Sequence, residues 1–204
     1  MTPNQSGAVA QIQYLPLTPE RWNDLESLFG PRGACGGCWC MWWRLKRSEF
    51  DRQRGPGNRH GFHAIVEAGD PPGLLAYIMD ETNHTRKPVA WCSLGPREAF
   101  PVLGRSPVLK PVDNQPVWSL VCFFVAKPYR RMGLTLGLIE AAKSYAMDHQ
   151  AKILEAYPED PEKASVPEVF AFTGFASTFR SAGFEEVARR SPHRPIMRCV
   201  LEAG

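Results

Sequence analysis

The chain has 204 residues, 44% of them apolar and 22% charged, with a formal net charge of +3 at pH 7. That length and apolar content suffice for one packed domain with a sizeable core. The near-balanced charge without a long basic run argues against a nucleic-acid partner, no stretch is apolar for long enough to span a bilayer, and residues 1–13 lack the apolar core of a signal peptide. The expectation is a cytoplasmic protein with no membrane partner.

Residues 1–10 read as a flexible start and 11–204 as a single domain with an unusual Cys- and Trp-rich insertion at about 30–60. Residues 11–17 alternate weakly and read as a strand. Thr18 is a candidate N-cap, Pro19 suits the first helical position, and Trp22, Leu25 and Leu28 recur at helical spacing, so a helix is expected up to Gly30-Pro31. Residues 33–43 show no clean period. Residues 44–60 are charged, with a Gly-Pro-Gly break at 55–57, and 59–68 fit another helix. Residues 73–79 and 88–94 read as strands of a hairpin with a polar turn between them. Residues 96–116 form a long irregular segment carrying Arg97, Arg105, Lys110 and four prolines, and such segments in compact domains are often functional. An apolar strand over 117–125 leads into an amphipathic helix over 134–149, then a short strand at 152–156 and a polar loop at 159–168. A short helix at 173–182 is closed by Gly183, placed as a C′ residue, and strands at 184–189 and 196–201 follow. This order predicts a mixed α/β sheet flanked by helices.

The junction between the strand ending at Val125 and the helix after Gly133 carries the strongest chemical signal. The first turn of a helix presents four backbone N–H groups without internal partners, and the helix dipole favours an anion there. Gly133 allows close approach to the backbone, and Arg130 and Arg131 add guanidinium charge suited to phosphate. This segment resembles the coenzyme-A-binding motif of the GNAT superfamily of N-acetyltransferases, in which a strand ending in Val is followed by Gln/Arg-x-x-Gly-x-Gly/Ala and a helix with paired aliphatics. Arg130, Gly133, Leu138 and Ile139 fall in register, while Thr135 stands where the family prefers Gly or Ala. Residues 173–184, ending in Ser-Ala-Gly-Phe, resemble the later family motif with an aromatic four residues before Gly-Phe, here Phe179. The order of elements is also that of the family. The resemblance implies a central mixed, mostly antiparallel sheet flanked by helices. It implies acetyl-CoA as cosubstrate, held by Phe124, Val125, Arg130, Arg131, Met132, Gly133, Leu134, Thr135 and Leu136. It also implies transfer of acetyl to a primary amine of a small molecule or peptide by direct attack on the thioester, with a bulge in the central strand freeing an N–H for the thioester carbonyl.

In many GNAT enzymes the aromatic before Gly-Phe is a tyrosine that protonates the departing thiolate. Phe179 has no hydroxyl, so Tyr157 becomes the candidate acid. Glu155 shares its strand face and is a conspicuous carboxylate in an apolar run; it is a candidate general base or a binding group for a cationic amine. The plainer alternative is an edge strand with Glu155 in water and Tyr157 as packing.

Six cysteines in a chain of this length do not make a disulfide scaffold. Cys92, Cys122 and Cys199 sit in apolar strands and read as buried small hydrophobes. Cys35, Cys38 and Cys40 could supply three thiolates, with His60 or His63 as a fourth ligand, but no second ligand pair exists and no metal is expected. The stretch Gly-Cys-Trp-Cys-Met-Trp-Trp at 37–43 resembles one in a subgroup of GNAT-like proteins, and Trp39, Trp42 and Trp43 are expected to wall the acceptor pocket. Two other readings stand beside acetyl transfer: a non-catalytic acyl-CoA-binding or sensing module, and a metal-binding interaction protein. Pairing of two copies through edge strands or the final hairpin is left open.

Overall fold

A computed structural model describes residues 12–80, 85–161 and 172–202. The strands are β1 (Ile12–Pro16), β2 (Gly73–Asp80), β3 (Thr85–Pro96), β4 (Trp118–Val125), β5 (Ile153–Ala156), β6 (Glu185–Arg189) and β7 (Pro195–Val200). They form one sheet in the order β1–β2–β3–β4–β5–β7–β6, antiparallel at every pairing except β4 with β5. The helices are α1 (Trp22–Phe29), α2 (Arg47–Gln53), α3 (Pro56–Glu67), α4 (Pro101–Arg105), α5 (Leu134–Asp148) and α6 (Ala176–Ser181). This is the expected mixed sheet flanked by helices.

The period of two along β2 divides the core between the two faces of the sheet. Leu74 and Ala76 join the cluster built with Leu138, Ile139 and Ala142 of α5 and Phe179 of α6. Leu75 and Tyr77 join Trp22, Leu25 and Phe29 of α1, Phe62 and Val66 of α3, and the Trp39–Met41 stretch. A third cluster under the loop after β3 gathers Trp43, Phe100, Leu103, Val121 and Tyr157. Fully burying an aliphatic side chain such as Leu138 or Ile139 contributes about 1.5–3 kcal/mol, so the paired aliphatics of α5 anchor that helix to the sheet. Gly137 permits the closest approach: a Cβ there would sit 1.9 Å from the Tyr14 hydroxyl of β1.

Several local expectations are corrected. Thr18 does not cap a helix N–H; its hydroxyl accepts from Arg21 Nη1 at 3.1 Å. The charged stretch after residue 44 forms α2, supported by the Arg47–Asp51 pair one turn apart. The next helix begins at Pro56, earlier than expected, because proline fits the first helical position. The proline-rich segment contains α4, with Leu103 buried. At the supposed polar loop, Glu159 and Asp160 are buried. The flexible start at 1–10, the turn at 81–84 and the rest of the loop at 162–168 lie outside the described residues. Gly183 does follow α6, with φ +82°.

Candidate active site

The turn from β4 to α5 lies open at the surface. Arg130, Arg131, Met132 and Gly133 are exposed, and Leu136 is 37% exposed. Arg130 Nε donates to the Val125 carbonyl at 3.3 Å, which ties the arginine back to the strand end. Gly133 has φ +75° and a Cβ there would meet nothing within 4 Å, so its backbone faces open space. The first bond of the helix runs from the Gly137 N–H to the Gly133 carbonyl at 3.1 Å. The N–H groups of Leu134, Thr135 and Leu136 therefore precede the helix ladder. Leu134 is buried and Thr135 half-buried. An open glycine backbone, unladdered N–H groups and two exposed guanidinium groups fit the pyrophosphate of a coenzyme.

Beside this turn the sheet comes apart. β4 pairs with β5 at Trp118 with Leu154, Ser119 with Glu155 and Leu120 with Ala156. Beyond that the partners diverge: β4 continues along β3 to Val125, while Glu159 bridges instead to Phe175. At the same point β4 bulges, since Cys122 opposes Ser93 and Leu120 opposes Leu94, leaving Val121 as the extra residue. The edge of β4 from Val121 onward is thus free of β5. Phe124, half-buried, turns to the α1 side, with its ring 5.4 Å from Phe29. Phe179 is fully buried on the opposite face, 6.0 Å from Phe123.

Tyr157 and Glu155 lie on the first side of this opening and are joined to each other. β5 runs between β4 and β7 and is buried throughout, so it is not an edge strand and Glu155 is not in water. Glu155 Oε1 accepts from Arg97 Nη1 at 2.5 Å and from the Tyr157 hydroxyl at 2.6 Å, and Oε2 accepts from Arg198 Nε at 2.7 Å. Arg198 also donates to both oxygens of Asp113, and Arg97 to the Leu109 carbonyl at 2.6 Å. The Ser119 hydroxyl lies 2.8 Å from that of Tyr157. Burial, followed by the Glu155 charge, pushes the Tyr157 hydroxyl well above the usual phenol range, so it keeps its proton at neutral pH. Arg97, Arg198 and Ser119 had no sequence signal of their own beyond the position of Arg97 at the start of the proline-rich segment.

The tryptophans divide between separate places. Trp39 is buried against Trp22 and Phe29, with centroids 6.0 and 5.6 Å away, and lines a groove of about 560 Å³ with Glu26 and Arg59 at the end of α1. Trp42 is half-buried, edge-on to Phe50 at 5.2 Å, with the Arg47 guanidinium 4.7 Å over its ring. Trp43 is the one at the bulge: its Nε1 donates to the Val121 carbonyl at 3.0 Å. Ala34, Trp39 and Cys40 all adopt positive φ, so this segment takes a conformation that costs energy in non-glycine residues. Cys35 is exposed, Cys38 half-buried and Cys40 buried, with the Cys40 sulfur accepting from Trp91 Nε1 at 3.0 Å. Among the described residues no three His, Cys, Asp or Glu side chains are grouped to hold a metal ion. Cys92 and Cys199 are buried, but Cys122 is only half-buried, next to the bulge. The neighbouring Cys40 thiol, then burial, pushes the Cys122 thiol well up.

The sequence profile of the acetyltransferase (GNAT) family matches residues 39–168. No curated protein matches the chain in sequence. Among solved structures, it is similar to a histone acetyltransferase HPA2 and related acetyltransferase from Corynebacterium glutamicum, with a TM-score of 0.54 at 13% identity over 95% of this chain and 98% of that one. A GNAT-family acetyltransferase from Listeria monocytogenes gives 0.55 at 10% identity over 95% and 99%. The ribosomal-protein-S5-alanine acetyltransferase from Vibrio fischeri gives 0.52 at 10% identity over 96% of each chain. At such identities the likeness is one of fold.

Proposed function

Because this chain belongs to the GNAT family, and so is an N-acetyltransferase that draws on acetyl-CoA, we propose that its acceptor is a primary amine of a small molecule or peptide, attacking the thioester directly. The observation that carries this reading is the coincidence of three features: the open Gly133 turn, the bulge at Val121, and the parting of β5 from β4 beside them. In this reading the pyrophosphate lies on the 130–136 turn, and the pantetheine arm follows the free edge of β4 past Phe124 and Val125, as an added strand would. The thioester then reaches the Val121 region, where Trp43 and Tyr157 meet in one cluster.

The amine lone pair forms the new C–N bond, the C–S bond breaks and the thiolate takes a proton from Tyr157, while the nitrogen sheds its surplus proton from the site and Tyr157 regains one from water. Glu155 and Ser119 orient the phenol, and Arg97 and Arg198 fix Glu155. With both oxygens engaged, Glu155 serves as a positioning residue rather than as the free base or amine-binding group. Work in the cytoplasm is supported by six unpaired cysteines. No helix among the described residues is long and apolar enough to cross a membrane.

Thiol release from acetyl-CoA across a panel of amines tests the reaction. Tyr157→Phe is expected to lower turnover by about 10²-fold or more, the usual contribution of a general acid, while leaving coenzyme affinity unchanged. An unaltered rate removes Tyr157 from the mechanism.

A further inference from the structure

Glu159 stands two residues beyond Tyr157, on the segment that leaves β4. Its backbone is fixed on both sides: the N–H donates to the Gly174 carbonyl and the carbonyl accepts from the Ala176 N–H, each at 2.9 Å. Its side chain is 2% exposed. Oε1 accepts from Arg194 Nη1, but Oε2 has no hydrogen-bond partner, and neither has Arg194 Nε. Arg194 Nη2 reaches the Tyr157 carbonyl at 3.4 Å and Thr173 Oγ1 at 3.2 Å. Its guanidinium lies 5.8 Å from the ring centroid of Trp43, whose indole N–H is bonded to Val121 on the bulge. A continuous set of contacts thus runs from the bulge to an unpartnered carboxylate oxygen.

That oxygen is an exception. Glu155 is equally buried and has both oxygens satisfied by arginines and Tyr157. Asp160, the next residue, receives Arg180 and Arg189. Among the described residues, Glu159 is the one carboxylate with a buried oxygen left without a partner. Burying such an oxygen without a partner carries its full desolvation penalty, so Oε2 and the neighbouring Arg194 Nε leave one acceptor and one donor for a water or a ligand to fill.

We infer that Glu159 Oε2 receives the acceptor's amine and takes the proton it sheds. The inference rests on the amine acetylation proposed above and specifies the acceptor head: a primary amine small enough to enter beside Trp43, not a carboxylate or phosphate. A neutral amine donates an N–H to Oε2. As its lone pair forms the C–N bond and the C–S bond breaks, the nitrogen's surplus proton passes to Oε2 and the coenzyme leaves as a thiol carrying the Tyr157 proton. Glu159 then loses its proton to water and Tyr157 regains one, so the site returns to its starting state.

Glu159→Gln tests this, because glutamine keeps one oxygen for Arg194 and replaces the orphan acceptor by a donor. The probes are benzylamine, spermidine and a tripeptide with a free amino terminus. They are read by thiol release from acetyl-CoA and by the rise in Tm that each amine produces in the presence of CoA. The expected result is a KM for the amine at least tenfold higher, loss of the amine-induced Tm rise, and an unchanged Tm rise with acetyl-CoA alone. A variant with a lower Tm but wild-type amine KM and amine-induced shift overturns the inference and leaves Glu159 as a structural ion pair. If the wild type releases no thiol with any probe, the proposed reaction fails and the proton transfer to Glu159 with it, and the amine contact at Oε2 is decided by binding alone. In that case an amine-induced shift lost in Glu159→Gln supports it, while a shift equal in both proteins, or absent from the wild type, overturns it. Should Glu159→Gln not fold, Glu159→Asp keeps the charge but withdraws the oxygen; an unchanged amine KM there overturns the inference equally.

Discussion

At the scale of single residues, the site depends on what a side chain lacks as much as on what it supplies. Gly133 exposes its backbone with φ +75° and open space where a Cβ would be. Gly133→Val puts a branched side chain over the unladdered N–H groups and forces it into a left-handed conformation that costs about 1–2 kcal/mol. Coenzyme affinity is expected to fall at least tenfold while the protein remains folded, because the position is exposed and packs against nothing. Isothermal titration with CoA and a melting curve measure the two effects; unchanged affinity rejects this turn as the pyrophosphate site. The turn was legible in the sequence because all of its determinants, Arg130, Arg131, Gly133 and the paired aliphatics Leu138 and Ile139, lie within one short stretch, residues 130–139. Glu155 was legible only as a carboxylate in an apolar strand. Its partners Arg97 and Arg198 are 58 and 43 residues away, so no local pattern shows that its oxygens are already engaged. Glu159 follows Glu155 and Tyr157 at the same spacing of two, and that alternation was the one available clue to it.

At the scale of elements, the segment after β5 has to be fixed against the sheet even though it no longer pairs with β4. Asp160 does this. Its Oδ2 accepts from Arg180 of α6 at 3.0 Å and from Arg189 of β6 at 2.8 Å, and its N–H donates to the His193 carbonyl at 2.8 Å. The sequence suggested a polar loop here because Glu-Asp-Pro-Glu has the composition of one; the arginines that allow its burial come from later elements. Burial alone pushes the Asp160 carboxyl up, but the hydrogen bonds from Arg189 and Arg180 outweigh it and hold the group below its usual range. A carboxyl held lower in the folded protein stabilises it above the unfolded value of about 3.9, and that contribution is lost as pH falls through the folded value. Asp160→Asn should therefore destabilise the protein by about 1–3 kcal/mol at pH 7, the usual effect of removing a charged hydrogen-bond acceptor from a buried site. The difference from wild type should persist down to about pH 4 and shrink below it. Urea unfolding at pH 7 and pH 3 measures it, and equal midpoints at pH 7 would show that the clamp contributes nothing.

At the scale of the whole molecule, the sheet consists of two parts with a short seam. β1 to β4 carry α1, α3 and α5, while α6 bridges from β7 to α5 and Phe123 of β4, and the two parts of the sheet itself share three paired positions between β4 and β5. The alternating and helical periods of the sequence show every strand and helices α1, α3, α5 and α6 approximately, but neither α2 nor α4, and the seam arises from where pairing stops, which depends on a bulge at Val121 and on Glu159 finding Phe175 instead of β4. A ligand lying along the free edge of β4 would touch both parts and tie them together. Acetyl-CoA at a hundredfold excess over its Kd stabilises a folded state that alone binds it by about 2.7 kcal/mol, which for a chain of this size raises Tm by about 5–10 °C. The location of that stabilisation is the sharper test. Amide hydrogen exchange should slow at residues 121–125 of β4, at the 133–137 turn and at residues 157–160 across the opening. Protection confined to the turn would mean that the coenzyme's phosphates bind there while its arm does not enter the seam, and the proposed position of the thioester beside Tyr157 would have to be abandoned.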